Sequence, residues 1–354
     1  MHHLKPIKQS PKLYFLSFIL VYVSCILLAL TFPHAVAANT KANNRVTFDA
    51  EAILPKNQQS DASYYDLRVR PGNNERLFIR LRNLTNEKQT VIIKTNNAVT
   101  NRNGAIDYSK SKTKLLGGPT FKQMISGPQT VTLNPKEVRK VDYHLKIPSK
   151  GFEGTVLGGF YCYAKSPKRT TKQQSLSLIN NFAYTIGAKL RCSNSQVRPK
   201  LSLEKVTPGL DNGYLTVFAT LQNSTPTLLS KLHMRATVTQ KGHRKVLKET
   251  NQQISIAPRV RFRLPISWDN QPLKSGKYVL TIVLKSAAGK KWQFSKEFTI
   301  TGADTKLNQK AVEVKKPINN RLIYLIIGGL LIAVILLLSG YIYRMKRKDS
   351  KTEK

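Results

Sequence analysis

Amide and aromatic side chains suited to ligand binding gather in one part of the sequence: Asn97, Asn101, Asn103 and Tyr108, with Tyr64 and Tyr65 upstream. Amides donate and accept hydrogen bonds, and tyrosine combines an apolar ring with a hydroxyl, so this set suits sugars and short peptides. The alternative is structural, because Asn-x-Asn-Gly at 101–104 is also an ordinary turn signal and Tyr108 also suits a core position. We predict a ligand-binding loop here.

Sequence motifs for catalysis are absent. After the first 37 residues the histidines are His144, His233 and His243, which lie far apart along the chain. The sequence contains no HExxH, GxSxG, phosphate-binding loop, CxxC or GxGxxG, and its acidic residues are scattered. These observations predict a protein that is not an enzyme and that needs no cofactor or metal.

The elements that position the predicted loop are β-strands. Apolar residues alternate with polar ones in several short runs, such as Leu77–Leu81, Val141–Ile147, Leu215–Leu221, Leu232–Val238 and Val260–Leu264. Alternation of this kind, interrupted by Gly, Pro and Asn, is typical of antiparallel sheets with one buried face. The short spacing between runs favours β-sandwiches of the immunoglobulin type.

A weak internal repeat indicates two copies of one domain. Leu-x-Ile-x-Leu-x-Asn-x-Thr at 77–85 matches Val-x-Ala-x-Leu-x-Asn-x-Thr at 217–225, and a proline-introduced strand follows each, after Pro135 and Pro258. The boundary is predicted near 194–200. Unequal spacing places two insertions in the first domain, around 95–123 and 164–175, and insertions on a rigid scaffold are common binding regions.

The N-terminus is typical of an exported protein. Lys5, Lys8 and Lys12 precede the apolar run Leu13–Leu30, and Ala-Val-Ala at 35–37 forms a cleavage signal. We predict a signal peptide over residues 1–37, with an uncleaved anchor as the alternative.

The C-terminus predicts a membrane anchor. Leu322 to Tyr343 contains no charged residue and spans about 33 Å as a helix, enough to cross a bilayer. The cations that follow fit a cytoplasmic flank: Arg344, Lys346, Arg347 and Lys348. The sequence predicts a single-pass protein of the cell membrane whose body lies outside the cell and whose C-terminus is cytoplasmic.

Two cysteines remain after the signal peptide, Cys162 and Cys192. In an exported domain, an even pair is consistent with a disulfide, which in a loop of about 30 residues contributes roughly 3–4 kcal/mol. The alternative is two free thiols on neighbouring strands, and the sequence leaves both open.

The charge is strongly one-sided: 58 Lys and Arg against 19 Asp and Glu give a net charge of +39. Most of this excess lies between residues 38 and 320, spread evenly over both predicted domains without a dense basic stripe. Export excludes nucleic acid as the partner. Anionic polymers of a Gram-positive wall, such as teichoic acids, are the expected surroundings, with a solubility role as the alternative.

Several motifs, in this order along the chain, resemble those of WxL-interacting proteins of Gram-positive bacteria. They are Tyr-Tyr-Asp-Leu at 64–67, Thr-Asn-Asn-Ala at 95–98, Val-Leu-Gly-Gly at 156–159, Ile-Gly at 186–187 and Trp-x-Phe at 292–294. Arg259 departs from the family pattern, which has a small polar residue at that position.

The resemblance implies an all-β protein with two tandem Ig-like sandwiches, the first peptidoglycan-binding and the second host-binding, assembled with WxL-domain surface proteins. The predicted organisation is signal peptide 1–37, domains 38–197 and 198–302, linker 303–321, transmembrane helix 322–343 and basic tail 344–354. The alternative is a wall-modifying enzyme or an envelope chaperone on a β-sandwich.

Overall fold

The computed structural model describes residues 46–165, 182–312, 314 and 320–349. The predicted signal peptide, most of the second predicted insertion and the last five residues lie outside the described residues. Both β-sandwiches belong to one compact unit.

The described residues of the first domain contain ten strands, eight in the two facing sheets of its sandwich and two in a separate hairpin. They are β1 (Phe48–Ile53), β2 (Tyr65–Arg68), β3 (Asn74–Asn83), β4 (Gln89–Asn97), β5 (Val99–Thr100), β6 (Ile106–Asp107), β7 (Gln129–Leu133), β8 (Val138–Lys146), β9 (Val156–Ala164) and β10 (Ala183–Arg191). One sheet has the order β1-β3-β8, and the facing sheet has the order β2-β10-β9-β4-β7. Strands β2 and β10 run parallel, and the other pairs are antiparallel.

The second sandwich is simpler and has seven strands. They are β11 (Leu201–Asp211), β12 (Tyr214–Asn223), β13 (Leu229–Gln240), β14 (Val246–Ile256), β15 (Val260–Ser267), β16 (Gly276–Lys285) and β17 (Lys291–Ile300). Sheet β11-β12-β15 faces sheet β14-β13-β16-β17, and all pairs are antiparallel.

The alternating pattern of the sequence becomes the two cores. The apolar residues of the five predicted runs are buried, and the residues between them are half-buried or exposed, except the buried Thr216. Burying a large apolar side chain stabilises the fold by roughly 1.5–3 kcal/mol, so this register is strongly selected over a one-residue slip. The prediction of an all-β sandwich protein is confirmed.

The internal repeat has a physical basis in two buried asparagines. The Asn83 side chain accepts hydrogen bonds from the backbone and hydroxyl of Thr85, and its amide donates to the carbonyls of Glu87 and Asn134. Asn223 repeats this arrangement, with partners Thr225, Thr227 and Ala257. Each asparagine therefore ties one strand end to the turn that enters the partner strand.

The first predicted insertion lies between β4 and β7, where 31 residues (98–128) connect the strands. This insertion contains the β5–β6 hairpin and the one-turn helix α1 (Phe121–Met124), which Thr120 and Gln123 cap reciprocally. In the second sandwich the equivalent strands, β13 and β14, are joined by five residues (241–245). The second predicted insertion falls between β9 and β10.

The two cysteines are free thiols. In the antiparallel register of β9 and β10, Cys162 pairs with Tyr184, whereas Cys192 follows the end of β10, beyond the Leu190–Val156 pair. Opposite ends of a nine-residue strand pair are too far apart for a disulfide, whose Cα atoms are at most about 7 Å apart. The structure corresponds to the alternative of two free thiols, not to the disulfide.

Two helices follow the sandwiches, α2 (Leu307–Lys310) and α3 (Asn320–Asp349). The predicted transmembrane segment lies within α3. Among the residues that the structure describes, no helix combines the length and hydropathy needed to cross a membrane.

Candidate binding groove between the two sandwiches

Two of the predicted loop asparagines have structural roles. The Asn97 side chain is buried, and its oxygen accepts a hydrogen bond from the backbone of Lys122 in α1 at 2.9 Å. The oxygen of Asn101 accepts from the backbone nitrogens of Asn103 and Ala105, at 2.9 and 3.1 Å. Asn101 therefore makes an Asx turn, which is the structural alternative. Asn103 is exposed at the tip of this turn.

The hairpin that carries this turn packs on the second sandwich. The backbone of Ser255 donates to the carbonyl of Gly104 at 2.6 Å. The Thr100 hydroxyl donates to the carbonyl of Ser255 at 3.2 Å and accepts from the backbone of Ala257 at 2.9 Å. A side chain at Gly104, whose φ is +71°, would overlap Ile254. Glycine is needed here because the two backbones approach closely.

The remainder of the insertion extends this contact. The backbone of Leu116 donates to the carbonyl of Arg259 at 2.8 Å, and the Arg259 guanidinium lies on Gly118. Arg102 forms an ion pair of 2.8 Å with Asp211. We call residues 98–119 the clamp, because they join the sandwiches by backbone hydrogen bonds, an ion pair and buried apolar contacts. Arg259, the departure from the family pattern, is part of this interface.

Tyr65 is a core residue, so its prediction as a binding residue is wrong. Its side chain is fully buried, its hydroxyl donates to the carbonyl of Phe78 at 2.6 Å, and its ring meets Phe160 edge to face. Burial raises the pKa of Tyr65 well above its ordinary value. Tyr64, which directly precedes β2, is 41% exposed and lies next to Gly187 of β10.

Tyr64 and Tyr108 do come together, over a depression in the outer face of the five-stranded sheet. Gly159 and Gly187 are cross-strand neighbours, and the Tyr108 ring lies where their side chains would be. The Asn96 amide holds this position by donating to the carbonyl of Tyr108 at 2.7 Å. Both tyrosines line a cavity of about 330 Å³, and burial raises the pKa of Tyr108 to about 12.

A cationic cluster lies next to this aromatic end. The buried carboxylate of Asp66 contacts the Lys189 ammonium at 3.2 Å and the Arg191 guanidinium at 3.0 Å. The Ser60 hydroxyl donates to the same carboxylate at 3.2 Å. Two cations share one carboxylate, so the cluster keeps a net positive charge, and both cations remain partly exposed. Such a cluster attracts carboxylates and phosphates.

A second cavity, of about 670 Å³, continues from the first. Lys189 and Leu228 line both cavities, and the second one also reaches Arg191 and Trp292. The Lys290 ammonium lies 5.3 Å from the centre of the Trp292 ring. We call the continuous depression the seam groove, defined by Tyr64, Tyr108, Lys189, Arg191, Leu228 and Trp292. It offers aromatic surfaces at both ends and cations between them.

The seam groove contains residues that no sequence motif indicates. Lys189 and Arg191 come from β10, far along the chain from the predicted loop. Gly159 and Gly187 were a usable signal, since glycine inside a strand marks a close approach of another chain segment. No His, Cys, Asp and Glu group in the described part of the chain has the arrangement of a metal site.

The fold defines a two-domain β-sandwich protein with a surface groove at the domain junction. The family model for the peptidoglycan binding domain of the WxL Interacting Protein matches residues 48–164, and that for its host binding domain matches residues 173–309. The chain therefore belongs to the WxL-interacting protein family, and these domains indicate a cell-surface protein that binds peptidoglycan and host. The second match begins before β10, a strand that pairs within the first sandwich.

The solved structures to which the chain is distantly similar include fimbrial chaperones. A CFA/I chaperone–tip adhesin complex is 12% identical, with a TM-score of 0.31, covering 70% of this chain and 98% of that chain. The E. coli chaperone DraB is 13% identical, with a TM-score of 0.27, covering 73% of this chain and 98% of that chain. These similarities are too distant to carry a functional conclusion. No curated protein sequence matches the chain significantly.

Proposed function

We propose that this protein is a non-catalytic, membrane-anchored surface protein that holds peptidoglycan in the seam groove and presents its second sandwich to host surfaces. The observation that carries the proposal is the juxtaposition of Tyr64 and Tyr108 with the Lys189–Asp66–Arg191 cluster in one groove. The family models support peptidoglycan and host as partners.

The groove matches the chemistry of peptidoglycan, a chain of amino sugars with short peptides that end in carboxylates. Tyr64, 41% exposed, offers an aromatic face to a sugar ring, and Trp292 offers a second one at the far end. Lys189 lines both cavities and meets a peptide carboxylate placed between them. Teichoic acid phosphates are a second candidate for the same cations.

The anchor in this proposal is the apolar segment Leu322–Tyr343 within α3. Its large side chains face outwards from the helix, as in Leu325 and Leu337, each 74% exposed. A helix surface of this composition is unfavourable in water and favourable in lipid. The basic residues after Tyr343 support a cytoplasmic C-terminus, with both sandwiches outside the cell.

WxL-domain surface proteins are the proposed assembly partners, and the name of the family supports this assignment. The clamp makes the two sandwiches one continuous body through shared buried contacts. A continuous body suits a protein that bridges the wall and an outer partner, because force applied to one sandwich reaches the other.

Retention of the full chain on purified sacculi tests the proposal. The double variant Tyr64→Ala/Lys189→Gln removes one aromatic face and one cation of the groove, and we expect it to bind at least tenfold more weakly, which is about 1.4 kcal/mol. The matched control is Tyr214→Ala/Lys205→Gln, because Tyr214 is 43% exposed on the second sandwich and Lys205 is an exposed lysine there.

The control has the same change of charge and of aromatic area, so we expect its retention to equal that of the wild type. Equal retention of both double variants and the wild type would refute the groove as the wall-binding site. Release of soluble fragments from labelled sacculi by the wild-type chain would refute the non-catalytic role.

A further inference from the structure

The outer face of the four-stranded sheet of the second sandwich carries regular rows of polar side chains. Across β14, β13, β16 and β17, one row contains Gln253, His233, Lys285 and Lys291 in register. The next row contains Asn251, Arg235, Val283 and Gln293. These rows border a surface cavity of about 540 Å³. This cavity is separate from the seam groove and shares no lining residue with it.

We call the row of His233, Lys285 and Lys291 the cationic row, after its two lysines. Lys285 lies directly opposite Lys291 and directly opposite His233 on its other side. Like charges directly opposite each other destabilise a sheet. In the described part of the chain neither lysine has an ion-pair partner, whereas Arg235 in the next row is held by Glu249 through two contacts of 3.0 and 2.9 Å. A bound anion would relieve this repulsion.

Amides border the cationic row and supply a second kind of interaction. Within the described residues, the side chains of Gln253 and Gln293 make no hydrogen bond, and both are free to contact hydroxyl groups. Asn251 donates to Glu249 at 2.8 Å and keeps an acceptor for a ligand. Val283 gives the cavity an apolar floor between these amides. This set of side chains is chemically suited to a ligand that carries anionic groups and many hydroxyls.

Such a ligand is an acidic polysaccharide. A nucleic acid would favour exposed aromatic rings for stacking, and the lining of this cavity contains none. We propose that this face binds a carboxylated or sulfated glycan of the host surface, with its anionic groups on the cationic row and its hydroxyls on Asn251, Gln253 and Gln293. This inference rests on the host-facing role proposed above, and it names the chemistry that the second sandwich recognises.

The test uses the full chain in lipid nanodiscs of uncharged headgroups, with heparin, hyaluronan, neutral dextran and poly(glycerol phosphate) as probes. We expect binding of heparin or hyaluronan and none of dextran. The variant Lys285→Gln/Lys291→Gln should bind the acidic glycan about tenfold more weakly, because two charge-assisted contacts are lost. The matched control Lys205→Gln/Lys306→Gln makes the same change of net charge at two exposed lysines outside the cavity and should bind like the wild type.

If both double variants bound the acidic glycan equally weakly, the proposed site would be refuted. The result would show that binding depends on the net charge of the protein and not on the cationic row. Preferential, row-dependent binding of poly(glycerol phosphate) would also overturn it, by making a wall polymer the occupant. Binding to host cells before and after enzymatic removal of acidic glycans separates this proposal from the broader one. If binding to host cells is unchanged after the acidic glycans are removed, the glycan site is refuted while the broader proposal of host binding stands. Loss of binding supports the glycan site. Retention of the row variant on sacculi should equal that of the wild type.

Discussion

The two sandwiches share one plan but differ at the connection between their equivalent strands β4–β7 and β13–β14. In the second sandwich, five residues (241–245) make a tight turn. In the first, 31 residues make a hairpin, a helical turn and the clamp on the neighbouring sandwich. The same scaffold position therefore serves as a simple turn in one copy and as a domain junction in the other.

This difference explains how the seam groove arises. The clamp carries Tyr108 back over Gly159 and Gly187, and it brings Leu228 and Trp292 of the second sandwich next to Lys189. Neither sandwich alone has the groove, because its lining comes from both. The insertion therefore contributes to the proposed site by positioning groups, while most of its asparagines form hydrogen bonds within the loop.

Loss of the shared asparagine turn should have the largest effect, and it should be equal in both copies. Asn83→Ala and Asn223→Ala each leave two backbone carbonyls without their donor. We expect each to lower the free energy of unfolding by about 3 kcal/mol. Chemical denaturation of the full chain measures this, with exposed Asn251→Ala as the near-neutral control. If Asn83→Ala or Asn223→Ala left the free energy of unfolding unchanged, the result would contradict a shared stabilising role of the two asparagines.

The glycines of the two connections should differ. Gly104 in the clamp and Gly242 in the short turn both have a positive φ, +71° and +82°. Gly242→Ala meets open space and should cost about 1 kcal/mol of backbone strain. Gly104→Ala also overlaps Ile254 and should cost about 2–3 kcal/mol. Thermal unfolding of both variants measures the difference, and equal losses would show that the clamp contact is not tight.

The exposed edge of the clamp should contribute least. Arg102 and Asp211 form an ion pair whose side chains are 45% and 21% exposed, so solvent screens it. Arg102→Ala should lower the free energy of unfolding by less than about 1 kcal/mol. A double-mutant cycle with Asp211→Ala isolates the coupling, and the Arg235–Glu249 pair of the second sandwich gives the comparison. A coupling above about 2 kcal/mol would mean that the clamp depends on charge more than on its backbone hydrogen bonds.

Alternation and spacing predicted the strands, the repeat and the position of the first insertion, because these depend on local periodicity. Local periodicity did not predict which of Tyr64 and Tyr65 is buried. Tyr65 is the first residue of β2 and Tyr64 directly precedes the strand, and nothing in the local sequence says which tyrosine meets the core. Burial of Tyr65 against Phe160 decides it.

Local sequence patterns also did not predict that Lys189 and Arg191 line the groove. Lys189 and Arg191 acquire their setting from Asp66, over 120 residues earlier, through the parallel pairing of β2 and β10. Parallel pairing of two strands that are distant in sequence produces no periodic pattern in the sequence. Asn97 and Asn101 show the converse, since a turn-forming asparagine and a ligand-binding one look alike in sequence.

Hydrogen–deuterium exchange of the full chain with soluble peptidoglycan fragments tests the central claim most directly. We predict slower exchange on binding along three segments that line the seam groove. They are residues 185–191 of β10, residues 193–199 between the two sandwiches, and residues 226–230. We predict no change in exchange along β14, β16 or the part of β13 that follows Ser230. Fragment binding that leaves the groove segments unchanged, or that protects only the second sandwich, would contradict the account.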